Sequence, residues 1–262
     1  MPAASARTAR RGGSVAFTVV VTVLVLLGAA AMLAVLALSG APGTLALATA
    51  FAALPVGPLV ACYLWLDRYE PEPKRLLAAG LLWGGCVATA AALLLQGVGG
   101  LVAGFSGRAS LEVVAPVTEE ACKGAFLVLL LWWRRAELDG VLDGIVYAGM
   151  VGIGFAFVEN ILYLAAAYNG TDGQGPGGTS ALTTTFVVRC LGSPFAHPLF
   201  TTFTGIGVGL AVGSRSSAGR VWWPLLGYVV AVVAHGTWNG TTALGFSSFA
   251  VAYLVLMAPA FL

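Results

Sequence analysis

Long apolar runs dominate the chain, and the polar breaks between them are short. A membrane-spanning helix takes about 20 mostly apolar residues. Runs of that size fall at 15–38, 44–66, 76–96, 110–133, 143–168, 182–213, 221–241 and 246–262. The pattern predicts an all-α fold, a polytopic transmembrane helix bundle of about eight spans. Residues 1–14 read as a polar N-terminal arm. Residues 15–262 read as a single transmembrane domain without an internal repeat, its intramembrane polar residues concentrated in 110–242. Arg7, Arg10 and Arg11 precede the first run as they would in a signal peptide. The run exceeds the usual apolar core of about 7–15 residues, which favours an uncleaved anchor.

Composition supports the same class. Only 9% of the 262 residues are charged, against about 25% in a soluble domain, and the mean hydropathy is +0.92. So few charges cannot clothe a water-facing surface. The net charge of +2 comes without a basic stripe, which excludes nucleic acid as a partner. Cys62, Cys86, Cys122 and Cys190 stand singly in apolar runs and read as packing residues.

Charge sets the orientation through the positive-inside rule. With the N-terminus in the cytoplasm, ten of the thirteen basic residues fall in the arm or in inner loops. Arg108 alone falls in an outer loop, and Lys123 and Arg189 lie within spans. Both termini are therefore expected in the cytoplasm, and the Gly-rich loop 169–181 outside. The Ala, Val and Gly bias points to a bacterial multi-pass protein of the plasma membrane.

Five ionisable groups interrupt the apolar spans: Glu119, Glu120, Lys123, Glu159 and Arg189. Each costs about 3 kcal/mol near mid-membrane if unpaired, so they are expected to pair. Both histidines, His197 and His235, also lie within spans, with Asn160, Thr201 and Asn239. Counting helical rise from the nearest inner anchor puts Glu119 about 22 Å in, Glu159 about 24 Å, His235 about 22 Å and His197 about 27 Å. Four groups on four helices thus share one layer, displaced toward the outer face. Glu119 and Lys123, His197 and Thr201, and His235 and Asn239 are each four apart and share a helix face. Arg189, about 12 Å nearer the outer surface than His197 by the same count, reads as an interfacial snorkelling residue. Pro194 and Pro198 flank His197 and suggest irregular, hydrated backbone there.

These segments resemble a known family. Ala115-Pro-Val-Thr-Glu119-Glu120-Ala-Cys-Lys123, Gly154-Phe155-Ala-Phe-Val-Glu159-Asn160, His197 and His235-Gly-Thr-Trp-Asn239 are similar, in order, to the PrsW family of intramembrane proteases. That family is distantly similar to the CAAX-processing and bacteriocin-protection (CPBP) protease group. Asp67-Arg-Tyr-Glu70-Pro-Glu72-Pro resembles its loop after an early span. The resemblance implies cleavage of a membrane-anchored protein near the extracytoplasmic side, with an anti-sigma-factor-like substrate.

Amide hydrolysis needs an activated water, an oxyanion stabiliser and a proton donor. The expected roles are Glu119 as base beside Glu120, Lys123 holding one carboxylate ionised, His197 orienting water, and His235 with Asn239 as oxyanion donors. Thr201 supports His197, and Glu159 serves as second acid. A zinc site of Glu159, His197 and His235 with water in the fourth position uses the same residues, so glutamate-type and zinc-dependent chemistry both stay open. A proton- or ion-coupled transporter and a non-catalytic membrane scaffold are the alternatives, since intramembrane carboxylates also build proton paths.

Overall fold

The computed structural model describes residues 2–105, 107–171, 175–244 and 246–258, with side chains from residue 13 onward except at 242, 243, 246, 249 and 256. Residues 172–174 of the Gly-rich loop and 259–262 of the last expected span lie outside the described residues. Among the described residues there are helices and no strand. Helix α1 (Pro2–Ser39) leads into α2 (Pro42–Ala53) and α3 (Val56–Leu66). Helix α4 (Lys74–Leu82) continues through a π turn (Trp83–Ala88) into α5 (Thr89–Ala103). Short α6 (Gly107–Ala109) runs through a second π turn (Ser110–Val114) into α7 (Ala115–Trp133). Then follow α8 (Val141–Asn169), α9 (Thr179–Phe186) with a π turn (Val187–Gly192), α10 (Ala196–Gly213), α11 (Ser217–Ala243), and α12 (Phe246–Ala252) with a final π turn (Tyr253–Met257).

Among the described residues, six helical stretches are long and apolar enough to cross a membrane: Gly13–Ser39, Pro42–Leu66, Lys74–Ala103, Val141–Asn169, Thr179–Gly213 and Ser217–Thr241. Of the other two expected spans, α7 has the length, but Glu119, Glu120 and Lys123 dilute its apolar character. The described part of the last one is short.

Helix α8 is the central post. Its start is fixed by Asp143, whose carboxylate accepts the backbone N–H groups of Asp139 (2.8 Å) and Gly140 (3.0 Å). Its end is Gly170 in the left-handed region, a C-terminal stop that glycine adopts without steric cost. Helix α10 packs between α8 and α11, while α2, α3, α4 and α9 cover other faces of α8. Two glycines set the close approaches. A Cβ at Gly154 would fall 1.9 Å from the Leu81 carbonyl oxygen, and one at Gly152 would fall 2.5 Å from Pro198 Cα. The second contact brings the start of α10, and with it His197, against α8.

The run expected as one span over 182–213 falls within the apolar stretch Thr179–Gly213, with an interruption inside it. After the π turn, Ser193 leaves helical geometry (φ −136°, ψ 44°) and α10 restarts at Ala196. Pro194 marks this break in the sequence. Pro198 then falls in the first turn of α10, where a missing N–H costs nothing. His197 is therefore a first-turn residue of α10, next to a break inside the stretch Thr179–Gly213.

Candidate active site

Four helices deliver the polar layer. On α7, Glu119, Glu120 and Lys123 are all buried, Glu120 and Lys123 completely. Glu120 is fully engaged. Oε1 accepts from Lys123 Nζ (2.8 Å) and lies 3.0 Å from His235 Nδ1, and Oε2 accepts from Thr201 Oγ1 (3.0 Å). Three partners on α7, α10 and α11 thus lock one carboxylate. With Nδ1 tied to Glu120, His235 directs Nε2 toward Glu119 Oε2, 3.8 Å away. Phe200 stacks on the His235 ring at 5.0 Å and fixes its plane.

Glu119 contrasts with its neighbour. Oε1 accepts from Gln96 Nε2 on α5 (3.2 Å), and the same amide reaches Thr118 Oγ1. Oε2 is buried without any hydrogen-bond partner, with Lys123 Nζ at 3.6 Å. An orphaned buried carboxylate oxygen is costly.

Opposite, on α8, Glu159 Oε2 is 2.6 Å from both Arg189 Nη2 and His197 Nε2. Arg189 Nε donates to Asn160 Oδ1 at 2.9 Å. His197 Nδ1 lies 3.1 Å from Lys123 Nζ, and the His197 and His235 rings meet edge to face at 5.1 Å. Lys123 Nζ also caps the Phe155 ring at 3.8 Å. Three carboxylates here face two fixed cations, Lys123 and Arg189.

The structure therefore brings together Glu119, Glu120, Lys123, Glu159, His197, Thr201 and His235. Asn239 Nδ2 donates to the Leu111 carbonyl (3.0 Å), and the residue lines the cavity wall. Two expectations are corrected. Arg189 does not stand apart from the cluster as a snorkelling residue: its guanidinium donates to Glu159 and Asn160. The donors that converge are Glu119, His197 and His235, whose ligating atoms lie within 4.8 Å of one another. Glu159 is outside that set and is held instead by Arg189 and His197. Sequence reasoning also missed Gln96. It is neutral, and no charge marks it in its apolar run.

The cluster opens on a cavity of about 510 Å³ whose walls include Gln96, Glu119, Phe155, Glu159, Arg189 and His197. Apolar and small residues (Ala92, Leu93, Ala115, Ala156, Leu162, Ala196) make up much of the remainder.

A helical membrane bundle with a buried Glu/His cluster beside a partly apolar cavity is the class this defines. The family model described as "PrsW family intramembrane metalloprotease" matches residues 72–262, and the chain belongs to that family. It is similar to proteins named "Protease PrsW" from Geobacillus kaustophilus (33% identical, 59% of this chain and 63% of that protein), Bacillus subtilis (35%; 46% and 48%) and Oceanobacillus iheyensis (29%; 47% and 50%). In each case the match spans less than two thirds of the relative's length. No solved structure matches.

Whether the site suits a metal can be tested on its own atoms. Glu119 Oε2 has no hydrogen-bond partner, and one ligand atom each of Glu119, His197 and His235 lie within 4.8 Å of one another. Lys123 Nζ already shares this place with contacts to His197 Nδ1 and Glu119 Oε2. The donor set fits a divalent cation of the zinc type, which takes nitrogen and carboxylate ligands in sites with three protein donors.

Proposed function

We propose that this protein is an intramembrane endopeptidase that hydrolyses a peptide bond of a membrane-anchored protein near its extracytoplasmic side. The observation that carries the reading is the orphaned Glu119 Oε2, aimed with His197 and His235 at one point beside the cavity. The location near the outer face is supported by the depth count and by ten inner basic residues; an anti-sigma-factor-like substrate is what the family resemblance implies.

Glu119, His197 and His235 would hold the ion. Bound there, zinc supplies Lewis acidity that makes water a nucleophile at neutral pH. The protein's own groups supply the rest. Glu120, tied by Lys123, Thr201 and His235, keeps the His235 ring turned with Nε2 inward, the outer-shell carboxylate–histidine arrangement of metal sites. Gln96 occupies Glu119 Oε1 and leaves Oε2 as the reactive oxygen. Lys123 supplies positive charge next to the developing oxyanion. The apolar cleft receives the extended peptide and excludes bulk water.

Reconstitution in liposomes with a single-span reporter protein tests the reading. Wild type is expected to cleave it, while Glu119→Gln and His235→Ala lose about 100-fold or more with unchanged folding by circular dichroism. Chelation is expected to stop cleavage and added Zn²⁺ to restore it. Wild-type rates from Glu119→Gln would overturn the reading.

A further inference from the structure

Arg189 sits in a π turn, a helix irregularity frequent at functional sites. Its guanidinium is used as a fork. Nη2 donates to Glu159 Oε2 at 2.6 Å, Nε donates to Asn160 Oδ1 at 2.9 Å, and the plane rests 3.8 Å from the Tyr163 ring centroid. The Glu159 oxygen that receives Nη2 also meets His197 Nε2. On the far side of the ring, Nδ1 faces the Lys123 ammonium. An ammonium only donates, so Nδ1 is the acceptor, and Nε2 carries the proton it donates to Glu159.

We infer that Arg189 is a positioning residue: through Glu159 it holds the His197 ring as the Nε2–H tautomer, with the Nδ1 lone pair turned toward the Lys123 ammonium beside Glu119. Asn160 and Tyr163 fix the fork in turn. Five donors in one rigid plane make arginine fit this geometry; lysine, a point charge on a flexible stem, cannot bond Glu159 and Asn160 together while stacking on Tyr163. Without the fork, Glu159 is released to rotate, and His197 can exchange tautomers.

The kinetic side of this inference rests on the protease reading; the tautomer side does not. The chain has two histidines, so ¹⁵N-histidine labelling gives two imidazole spin systems, assigned with His197→Ala. In wild type the His197 signals are expected to report protonated Nε2 and unprotonated Nδ1. Arg189→Gln is expected to mix the tautomers and lower kcat about 10–100-fold, as loss of an outer-shell partner does, with KM within about twofold. Arg189→Lys is expected to fall between. Guanidinium ion added to Arg189→Ala is expected to recover kcat, a rescue that a purely structural role would not show. Asn160→Ser, which loosens the fork and keeps the charge, gives a smaller change of the same kind if Arg189→Gln fails to fold. An unaltered His197 spectrum in the variants overturns the inference, as does a rise in KM alone, which would make Arg189 a substrate contact. If wild type cleaves nothing, the protease reading fails while the spectra still decide the role of Arg189.

Discussion

Helix α8 carries a polar cluster at each end, about 18 Å apart from Tyr147 to Glu159, and the two are built on opposite rules. Around Tyr147 the carboxylates of Asp67, Glu72 and Asp143 have their donors. Both oxygens of Asp67 accept the Glu72 N–H at 3.1 Å, Glu72 Oε2 accepts the Tyr147 hydroxyl, and Asp143 caps the helix. Around Glu159, hydrogen bonds are equally dense, yet Glu119 Oε2 has none. Satisfied buried groups hold a fold together; an unsatisfied one stores free energy for something that binds. Burial alone does not separate the two clusters. Completeness of hydrogen bonding does.

The largest effect that would sharpen this contrast belongs to Lys123. It meets Glu120, Glu119, His197 and Phe155 and is fully buried. Lys123→Met is expected to abolish cleavage. It should also cost about 3–5 kcal/mol in reversible unfolding from detergent, because removing one partner strands buried carboxylates. A stable and active Lys123→Met protein would show that the cluster's charges do not depend on one another.

The Tyr147 end is expected to answer differently. Tyr147→Phe removes the hydroxyl donor to Glu72 and nothing else. The carboxylate is half-buried and can recruit water, so a cost of about 1 kcal/mol is expected, with cleavage within about twofold of wild type. A large loss of activity with intact stability would join the two ends of α8 into one functional unit.

How far each cluster was legible in the sequence follows the same division. Charges inside apolar runs are conspicuous, and a fixed helical rise converts spacing into depth. Glu119, Glu159, His197 and His235 could therefore be assigned to one layer before any coordinates. That count assumes continuous helices. It failed for Arg189, which sits in a π turn and reaches Glu159. It had nothing to say about Gln96, whose amide matters only because Glu119 lies across from it. Which of the paired glutamates is the free one was also beyond the sequence, since three other helices decide it. The Asp67–Glu72 segment was visible only as a family likeness; its bonding to Tyr147 joins residues 75 positions apart.

The smallest effect is a pH slope, and it tests whether the Tyr147 end is purely structural. Burial pushes the Glu72 carboxyl up to about 7 from 4.5; the Tyr147 hydroxyl opposes the rise, and Asp143, Asp67 and Glu137 add to it by repulsion. Ionised Glu72 is thus less favoured in the folded protein than in the unfolded chain. Its contribution to stability is greatest below pH 4.5, shrinks as pH rises toward about 7, and levels off above that. Glu72→Gln keeps an oxygen to accept from Tyr147 and carries no charge, so its melting temperature should lack this component of the fall between pH 4.5 and 7. Above that window the variant should be at least as stable as wild type, with cleavage unaffected. Parallel melting curves for the two proteins from pH 4 to 8 would mean that water, rather than protein, surrounds Glu72, and the contrast between the two ends of α8 would then rest on Asp67 and Asp143 alone.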